Sequence, residues 1–370
     1  MAEVSKRLKI AMIHRDLPSE HDRGGVSYHV HYLADNLAGR GHEVTIFSSD
    51  PKPANAAYQV RRIEVAERIK KSKLFQTYLW SLYVSRQDFS GFDVLHAHGD
   101  SQFLFSAKPP VIRTFYGSAL GEALSAVSLK RKLAQLSLYP FEFLSGMCAA
   151  KSVAISQATV RHLPFIKTVI PCGVDVERFR PAEEKSKNPT ILFVGMLAGR
   201  KRGNLLVNVF KSEIKPVIPD ARLWLVCREE VEGEGITWFG KVPLEELIRL
   251  YQSAWVFCLP SSYEGFGIPY IEAMACGTPV VAAPNMGARE VLEEGKYGLI
   301  SNEKGLGRVL IKALRDQDLR AGLAEKGFRD IERFSWNTVA ASYESIYLSV
   351  MNGEEERESS MKLRAGNLDA

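Results

Sequence analysis

No apolar run in this 370-residue chain approaches the roughly 20 residues that a helix needs to cross a bilayer. A helical membrane-spanning protein is thereby excluded. Met1 to Lys9 lead straight into a strand-like run without the basic-then-apolar pattern of a secretory signal, so the expected location is cytoplasmic. Cysteine is scarce. Cys148, Cys172, Cys227, Cys258 and Cys276 are odd in number and scattered, which argues against a disulfide framework and for reduced core thiols. No Cys/His cluster has zinc spacing, and the Asp-x-Asp spacing at Asp316-Gln317-Asp318 follows no strand-like run, so it is not read as a motif that shares a divalent ion with substrate phosphates. The expectation is therefore no metal and no cofactor. Neither sign of charge dominates, with 48 Lys+Arg against 43 Asp+Glu and a net charge of +5. That balance does not suit a nucleic-acid partner. Low-complexity tracts are absent, and so is any long internal repeat.

What is present is an ordinary soluble composition, 46% hydrophobic and 25% charged, in a chain long enough for two cores. Leu8–Ile13 reads as a strand, Ser27–Leu37 as an amphipathic helix ending at Gly39 and Gly41, and His42–Phe47 as the next strand. Residues 94–98, 110–114 and 152–155 continue the series. The rhythm restarts at Thr190–Gly195 and runs on through 222–227, 255–259 and 279–282. Alternating strands and helices imply parallel, doubly wound sheets. Between the two series lies the Pro- and Gly-containing segment Ile170–Pro181, the best linker candidate. Residues 1–180 hold 24 Lys and Arg against 16 Asp and Glu, so the first half is the basic one.

The most informative segment is Glu264-Gly265-Phe266-Gly267-Ile268-Pro269-Tyr270-Ile271-Glu272. Two glycines in three residues let the backbone turn sharply and approach a ligand. Pro269 suits the first turn of a helix, where its missing N–H costs nothing. A loop of main-chain N–H groups feeding a helix N-terminus suits a diphosphate. Two acceptor-only carboxylates placed before and after that loop suit sugar hydroxyls.

This pattern, followed by Gly277-Thr278-Pro279-Val280-Val281-Ala282, resembles the signature of the retaining glycosyltransferases of family four (glycosyl transferases group 1). The resemblance implies an α/β, GT-B architecture: two Rossmann-like, doubly wound parallel-sheet domains facing a central cleft. The expected limits are 1–175 for an acceptor-binding domain, completed by C-terminal helices at about 336–352. A donor-binding domain at 182–335 and a flexible tail at 353–370 complete the division. Phe334-Ser335-Trp336, and the segment around Pro171-Cys172-Gly173-Val174-Asp175, are similar to the family's ending and interdomain segment.

The resemblance also assigns roles. Glu272 is expected on the nucleotide ribose, and the backbone of Gly265, Phe266, Gly267 and Ile268 on the diphosphate and sugar. Glu264 is expected on sugar hydroxyls near the reacting carbon. Lys241 and Val242 lie in the loop similar to the one against the base. Relatives carry an arginine directly after the glycine of the first donor-domain strand. Here Gly195 is followed by Met196, and the cations available are Arg200, Lys201 and Arg202, of which Lys201 and Arg202 are favoured for the leaving diphosphate. In the first half, Gly24 and Gly25 resemble the glycine loop that closes over sugar and diphosphate. His98 ends a strand similar to the family's Asp-x-x-His-x-His pattern. Tyr116 stands where many relatives have histidine. A phenol titrating near 10 cannot serve as a near-neutral base, but it can donate a hydrogen bond. His14 and Arg15 end the first strand and are further candidates.

No carboxylate stands out as a nucleophile. The resemblance then implies front-side attack, in which the leaving phosphate takes the acceptor proton, and no metal is expected to take part. Two stretches mix basic and apolar residues as interfacial helices do, Arg68–Tyr83 and Leu129–Tyr139. Peripheral contact with an anionic membrane surface is the corresponding expectation. The function expected is transfer of a hexose from a nucleoside diphosphate sugar to a hydroxyl acceptor. The alternatives are a nucleotide-sugar binding protein without catalysis, motivated by Met196 and Tyr116, or a sugar-nucleotide epimerase on the same fold.

Overall fold

The continuous apolar runs become central strands, and the helices between them make neighbouring strands run parallel. The structure, a computed structural model, describes residues 6–18, 24–65, 69, 72, 78–99, 101–105, 109–126 and 128–366. The chain divides into two compact units, Met1–Pro171 with Trp336–Ala370, and Cys172–Ser335.

Among the described residues the first unit has seven strands: β1 (Lys9–Ile13), β2 (Glu43–Ser48), β3 (Gln59–Arg62), β4 (Val94–His98), β5 (Val111–Phe115), β6 (Lys151–Ala154) and β7 (Thr168–Val169). They form one parallel sheet in the order β3-β2-β1-β4-β5-β6-β7. Helices α1 (Gly25–Gly39), α2 (Trp80–Ser85), α3 (Ala119–Ser125), α4 (Leu129–Met147) and α5 (Gln157–Val160) lie between them in sequence. Successive residues of β1 serve opposite faces, as the strand period of two requires. Ile10 and Met12 pack with Val30, Leu33 and Leu37 of α1. Ala11 and Ile13 pack with Phe47, Trp80 and Val84.

The last helix, Trp336–Gly366, belongs to this unit and adds Trp336, Tyr343 and Tyr347 to the α1 face. Each such buried side chain contributes about 1.5–3 kcal/mol. Glu344 pins the helix. It takes Arg40 Nη2 at 2.7 Å, and His42 Nε2 at 3.2 Å, while His42 Nδ1 accepts the Leu8 N–H at 3.2 Å. The stretch after Gly353, expected to be a flexible tail, is helical through Gly366. Its Glu, Met, Lys, Leu and Arg residues are good helix formers and no proline interrupts them.

The second unit has β8 (Thr190–Val194), β9 (Arg222–Val226), β10 (Ile236–Trp238), β11 (Val256–Leu259), β12 (Val280–Ala282) and β13 (Gly298–Ile300). These form a parallel sheet of order β10-β9-β8-β11-β12-β13 among the described residues. Its helices are α6 (Gly203–Val209), α7 (Leu244–Ser253), α8 (Ile268–Ala275), α9 (Met286–Val291), α10 (Leu306–Arg315) and α11 (Gln317–Arg329). In both sheets the strand order reverses beside the first strand of the unit, the place where open α/β sheets offer ligands the carboxyl ends of their strands.

Candidate active site

In the second unit the segment after β11 is shaped by glycines. Gly267 has φ +109°, and a Cβ there would stand 2.3 Å from Cδ2 of Tyr270, so both backbone and space demand glycine. Gly287 opens α9 so close beneath the loop that its Cβ would meet the Phe266 carbonyl oxygen at 2.3 Å and that of Glu264 at 2.9 Å. Asn285 caps α9 by accepting the Ala288 N–H at 2.9 Å, and its amide donates to the Ser261 carbonyl at 3.0 Å and to Tyr270 Oη at 3.2 Å. Ser261 Oγ is buried with no hydrogen-bond partner among the described residues. No side chain caps α8 at Gly267, and Pro269 in its first turn has no N–H to donate. The loop therefore presents main chain to whatever occupies that end of the helix.

Glu264 is buried, 5% exposed, and both its oxygens are held by cations. Lys201 Nζ donates to Oε1 at 2.8 Å and Arg200 Nη1 to Oε2 at 3.3 Å. These cations come from the turn after β8. Gly195, at φ +153°, starts that turn, and Arg200 also anchors it by accepting the Ser262 N–H on its carbonyl and donating to the Tyr263 carbonyl. Arg202 does not join them. Its backbone is left-handed, at φ +55°, and its guanidinium pairs with Glu303 on the exposed side. Of the three cations expected at the leaving group, the structure thus brings Arg200 and Lys201 to Glu264. Met196, directly after Gly195, is half exposed.

Glu272 lies one turn into α8. Its Oε2 accepts from Tyr251 Oη at 2.9 Å. Burial pushes its carboxyl up to about 7, against the opposing pull of the Tyr251 hydrogen bond and the Lys201 charge. Burial beside this carboxyl also raises the Tyr251 phenol far above its usual range. Phe266 is buried with its ring 5.7 Å from that of Phe334, and Gly265 and Ile268 are part-exposed. Lys241 is exposed and Val242 half-buried, following Gly240 at φ +65° between β10 and α7.

The first unit gathers four histidines. His14 Nδ1 donates to the His98 carbonyl at 3.2 Å, and its Nε2 faces the Ser27 hydroxyl at 3.4 Å. His96 bridges Tyr347 Oη at 2.7 Å and Thr114 Oγ1 at 2.8 Å. His98, buried at the end of β4, shares a 2.8 Å hydrogen bond through Nδ1 with Tyr116 Oη. Its Nε2 has no hydrogen-bond partner among the described residues. His29 stands edge-on to Tyr116 and Trp336, at 5.1 and 5.0 Å, with neither nitrogen hydrogen-bonded among the described residues. Burial, helped by the neighbouring histidines, holds His96 and His98 well below the usual imidazole range and His29 down to about 3. These rings are neutral near pH 7, so His98 offers a hydrogen bond rather than a charge. Tyr116 spends a hydrogen bond on His98, which gives it a partner not foreseen from sequence.

Gly24 has φ −66° and open space around its Cβ position, and Gly25 is the first residue of α1. Neither conformation requires glycine, and residues 19–23 of that loop lie outside the described residues. Arg15 pairs with Asp16 at 2.7 Å. Tyr251, Ser261, Asn285, Gly287 and His29 were not singled out from sequence. Only Asn285 carried a readable signal, as an asparagine standing before a helix. Among the described residues no three His, Cys, Asp or Glu side chains are grouped to hold a metal ion, and no helix is long and apolar enough to cross a membrane.

Comparison with known proteins agrees with this architecture. Residues 23–178 match the family described as Glycosyltransferase Family 4, and residues 175–330 match Glycosyl transferases group 1. A phosphatidyl-myo-inositol mannosyltransferase of Mycolicibacterium smegmatis is 27% identical, over 88% of this chain and 90% of the relative. A D-inositol 3-phosphate glycosyltransferase of Corynebacterium urealyticum is 25% identical, over 90% of this chain and 93% of the relative. Among solved structures, sucrose-phosphate synthase from Thermosynechococcus elongatus superposes with a TM-score of 0.77 at 22% identity, covering 94% of this chain and all (100%) of that one. Anabaena HepE, solved with UDP and glucose, gives a TM-score of 0.69 at 17% identity, over 93% of this chain and 100% of that one. The two family matches run end to end through both units, and the chain belongs to the group 1, family 4 glycosyltransferases of GT-B fold.

Proposed function

We propose that the protein moves a hexose from a nucleoside diphosphate sugar to a hydroxyl acceptor, with retention at the anomeric carbon and without a metal ion. The observation that carries this is Glu264, buried and gripped by Lys201 and Arg200 at the mouth of the glycine loop that feeds α8. The two cations suit the charge that grows on a departing diphosphate, where they favour the transition state over the ground state. Their presence removes the demand for a divalent ion. The loop N–H groups and the uncapped end of α8 suit the phosphates. Glu272, with one oxygen held by Tyr251, suits the ribose hydroxyls through the other.

Both Glu264 oxygens are engaged by cations, which makes it a poor nucleophile and supports front-side attack. In that step the bond from the anomeric carbon to the phosphate oxygen breaks. The bond to the acceptor oxygen forms on the same face, and the acceptor proton passes to the leaving phosphate. Similarity to the mannosyl- and inositol-directed relatives supports a hexose donor and a polyol or lipid-linked hydroxyl acceptor. In the first unit, the neutral His98, through Nε2, and the neighbouring His14 and Tyr116 supply hydrogen-bonding groups suited to an acceptor hydroxyl.

A thermal-shift screen of UDP, GDP, ADP and dTDP with their sugars tests the reading, followed by proton NMR of the product formed with the best donor. A stabilising nucleotide sugar and an axial-to-axial or equatorial-to-equatorial outcome are expected, with activity unchanged in EDTA. An inverted product, or a best binder whose shift survives Glu272→Ala intact, would overturn it.

A further inference from the structure

Helix α4 is turned inside out relative to an ordinary surface helix. Leu129, Leu133, Leu136, Pro140, Leu144 and Met147 follow one another at steps of four, three, four, four and three, which places them along a single line of an α-helix. That line is the outward one. Leu129 is 69% exposed, Leu133 59%, Leu144 53% and Met147 62%. The contacts lie off that line: Tyr139 donates to the His162 carbonyl at 2.8 Å, Phe143 packs on Phe165 at 4.8 Å, Ser145 and Gly146 are buried, and on the other flank Ser137 Oγ shares a 2.7 Å hydrogen bond with Tyr78 Oη and Phe141 stands 5.3 Å from Phe103. Leu124 of α3, 66% exposed, adds to the apolar outer surface of the unit. A contiguous apolar stripe about 27 Å long, at 1.5 Å rise per residue, is far beyond scattered surface leucines.

The charges around it identify what covers it. Lys130 and Lys132 are exposed and fall on opposite flanks of the apolar line, about 100° per residue apart from Leu129 and Leu133. Arg131 is exposed beside Glu122. The only acid of the helix, Glu142, points inward, where it accepts the Ala119 N–H at 2.8 Å. An apolar stripe between lysines, with no outward carboxylate, complements an anionic lipid surface: the leucines enter the acyl boundary while the lysine heads stay among phosphates. A second copy of the chain would bring the same lysines and no outward acid from α4 to meet them. We infer that α4 lies in the plane of an anionic bilayer surface and docks the first unit there through its leucine line. This is independent of the donor reading, because no residue of the second unit takes part.

Flotation of the full chain with phosphatidylcholine vesicles containing phosphatidylglycerol, against phosphatidylcholine alone, tests the inference. Recovery with the anionic vesicles is expected, weakened by added salt. Leu133→Gln with Leu144→Gln should lower the partition coefficient by about tenfold or more. Lys130→Gln with Lys132→Gln should lower it by about tenfold on anionic vesicles only. If the leucine variant fails to fold, the lysine pair decides alone. The inference is overturned if the wild type stays with the soluble fraction, or if both variant pairs float like the wild type. It is overturned equally if sedimentation shows a lipid-free dimer that the leucine changes dissolve. A nucleotide-induced thermal shift retained in both variants keeps this outcome separate from the fate of the donor site.

Discussion

Lys201 Nζ lies 2.8 Å from Oε1 of Glu264, a carboxylate 5% exposed, while Arg200 reaches the other oxygen. The carboxylate and its cations form one unit, and each orients the other. Lys201→Met should lower kcat/KM for transfer by about 10²-fold, and Glu264→Gln by a similar factor. The double variant should cost far less than the product of the two, since partners that act together are not additive. A multiplicative loss, measured as kcat/KM for the best donor, would show that the pair does not act jointly.

Glu272 gives the donor site two opposed pH responses. Burial raises its carboxyl from 4.5 to about 7, so the folded state holds the proton more tightly than the unfolded chain. Its contribution to stability is full below about pH 4.5 and is lost as pH rises through about 7, a change on the order of 2–3 kcal/mol. Donor binding needs the carboxylate as acceptor and should strengthen over the same rise. Melting curves and donor titrations from pH 5 to about 8 check this. Glu272→Gln should flatten the stability slope and weaken the donor at the upper end. Glu142, also raised to about 7 by burial, contributes a parallel stability slope, which Glu142→Gln removes without touching donor affinity.

The glycine loop should tolerate almost nothing. Gly267→Ala places a Cβ in a left-handed conformation and 2.3 Å from the Tyr270 ring, and Gly287→Ala drives one against the Phe266 carbonyl at 2.3 Å. Each should cost about 2–4 kcal/mol in urea unfolding. Gly24→Ala, with open space and an ordinary φ, should cost less than about 0.5 kcal/mol. Equal costs at all three sites would remove the steric account of the loop.

What was legible from sequence divides along a physical line. The central strands, such as Thr190–Val194 and Val256–Leu259, are buried on both faces and stand out as unbroken apolar runs. The four strands not foreseen, Gln59–Arg62, Thr168–Val169, Ile236–Trp238 and Gly298–Ile300, are the sheet edges. They are short, and Gln59–Arg62 is largely polar and exposed, as edges tend to be. Glu264 and Glu272 were legible because the loop chemistry is local. Tyr251 and Gly287 were not, because nothing in their own neighbourhood says that α7 will lay a phenol on α8 or that α9 will start beneath the loop. Arg202 parts from its two neighbours for a related reason: three adjacent cations look alike in sequence, and only the left-handed turn at Arg202 sends its side chain away to Glu303.

The histidine group of the first unit should set the acid limit of that unit. His29 is held down to about 3 by burial and by the proximity of His14, so the folded unit resists a proton that the unfolded chain takes up near 6.5. The resulting stability is present above about pH 6.5 and is lost as pH falls toward 3, with His96 and His98 displaced in the same direction. His29→Phe keeps a ring between Tyr116 and Trp336 and removes two buried nitrogens that have no hydrogen bond among the described residues. It should be neutral to stabilising by about 1 kcal/mol at pH 7, and should shift acid unfolding to lower pH. Urea titrations at pH 7 and about pH 5 measure both effects. A loss of more than about 2 kcal/mol at pH 7 would show that the imidazole nitrogens have partners that matter, and that His29 acts as more than a buried ring.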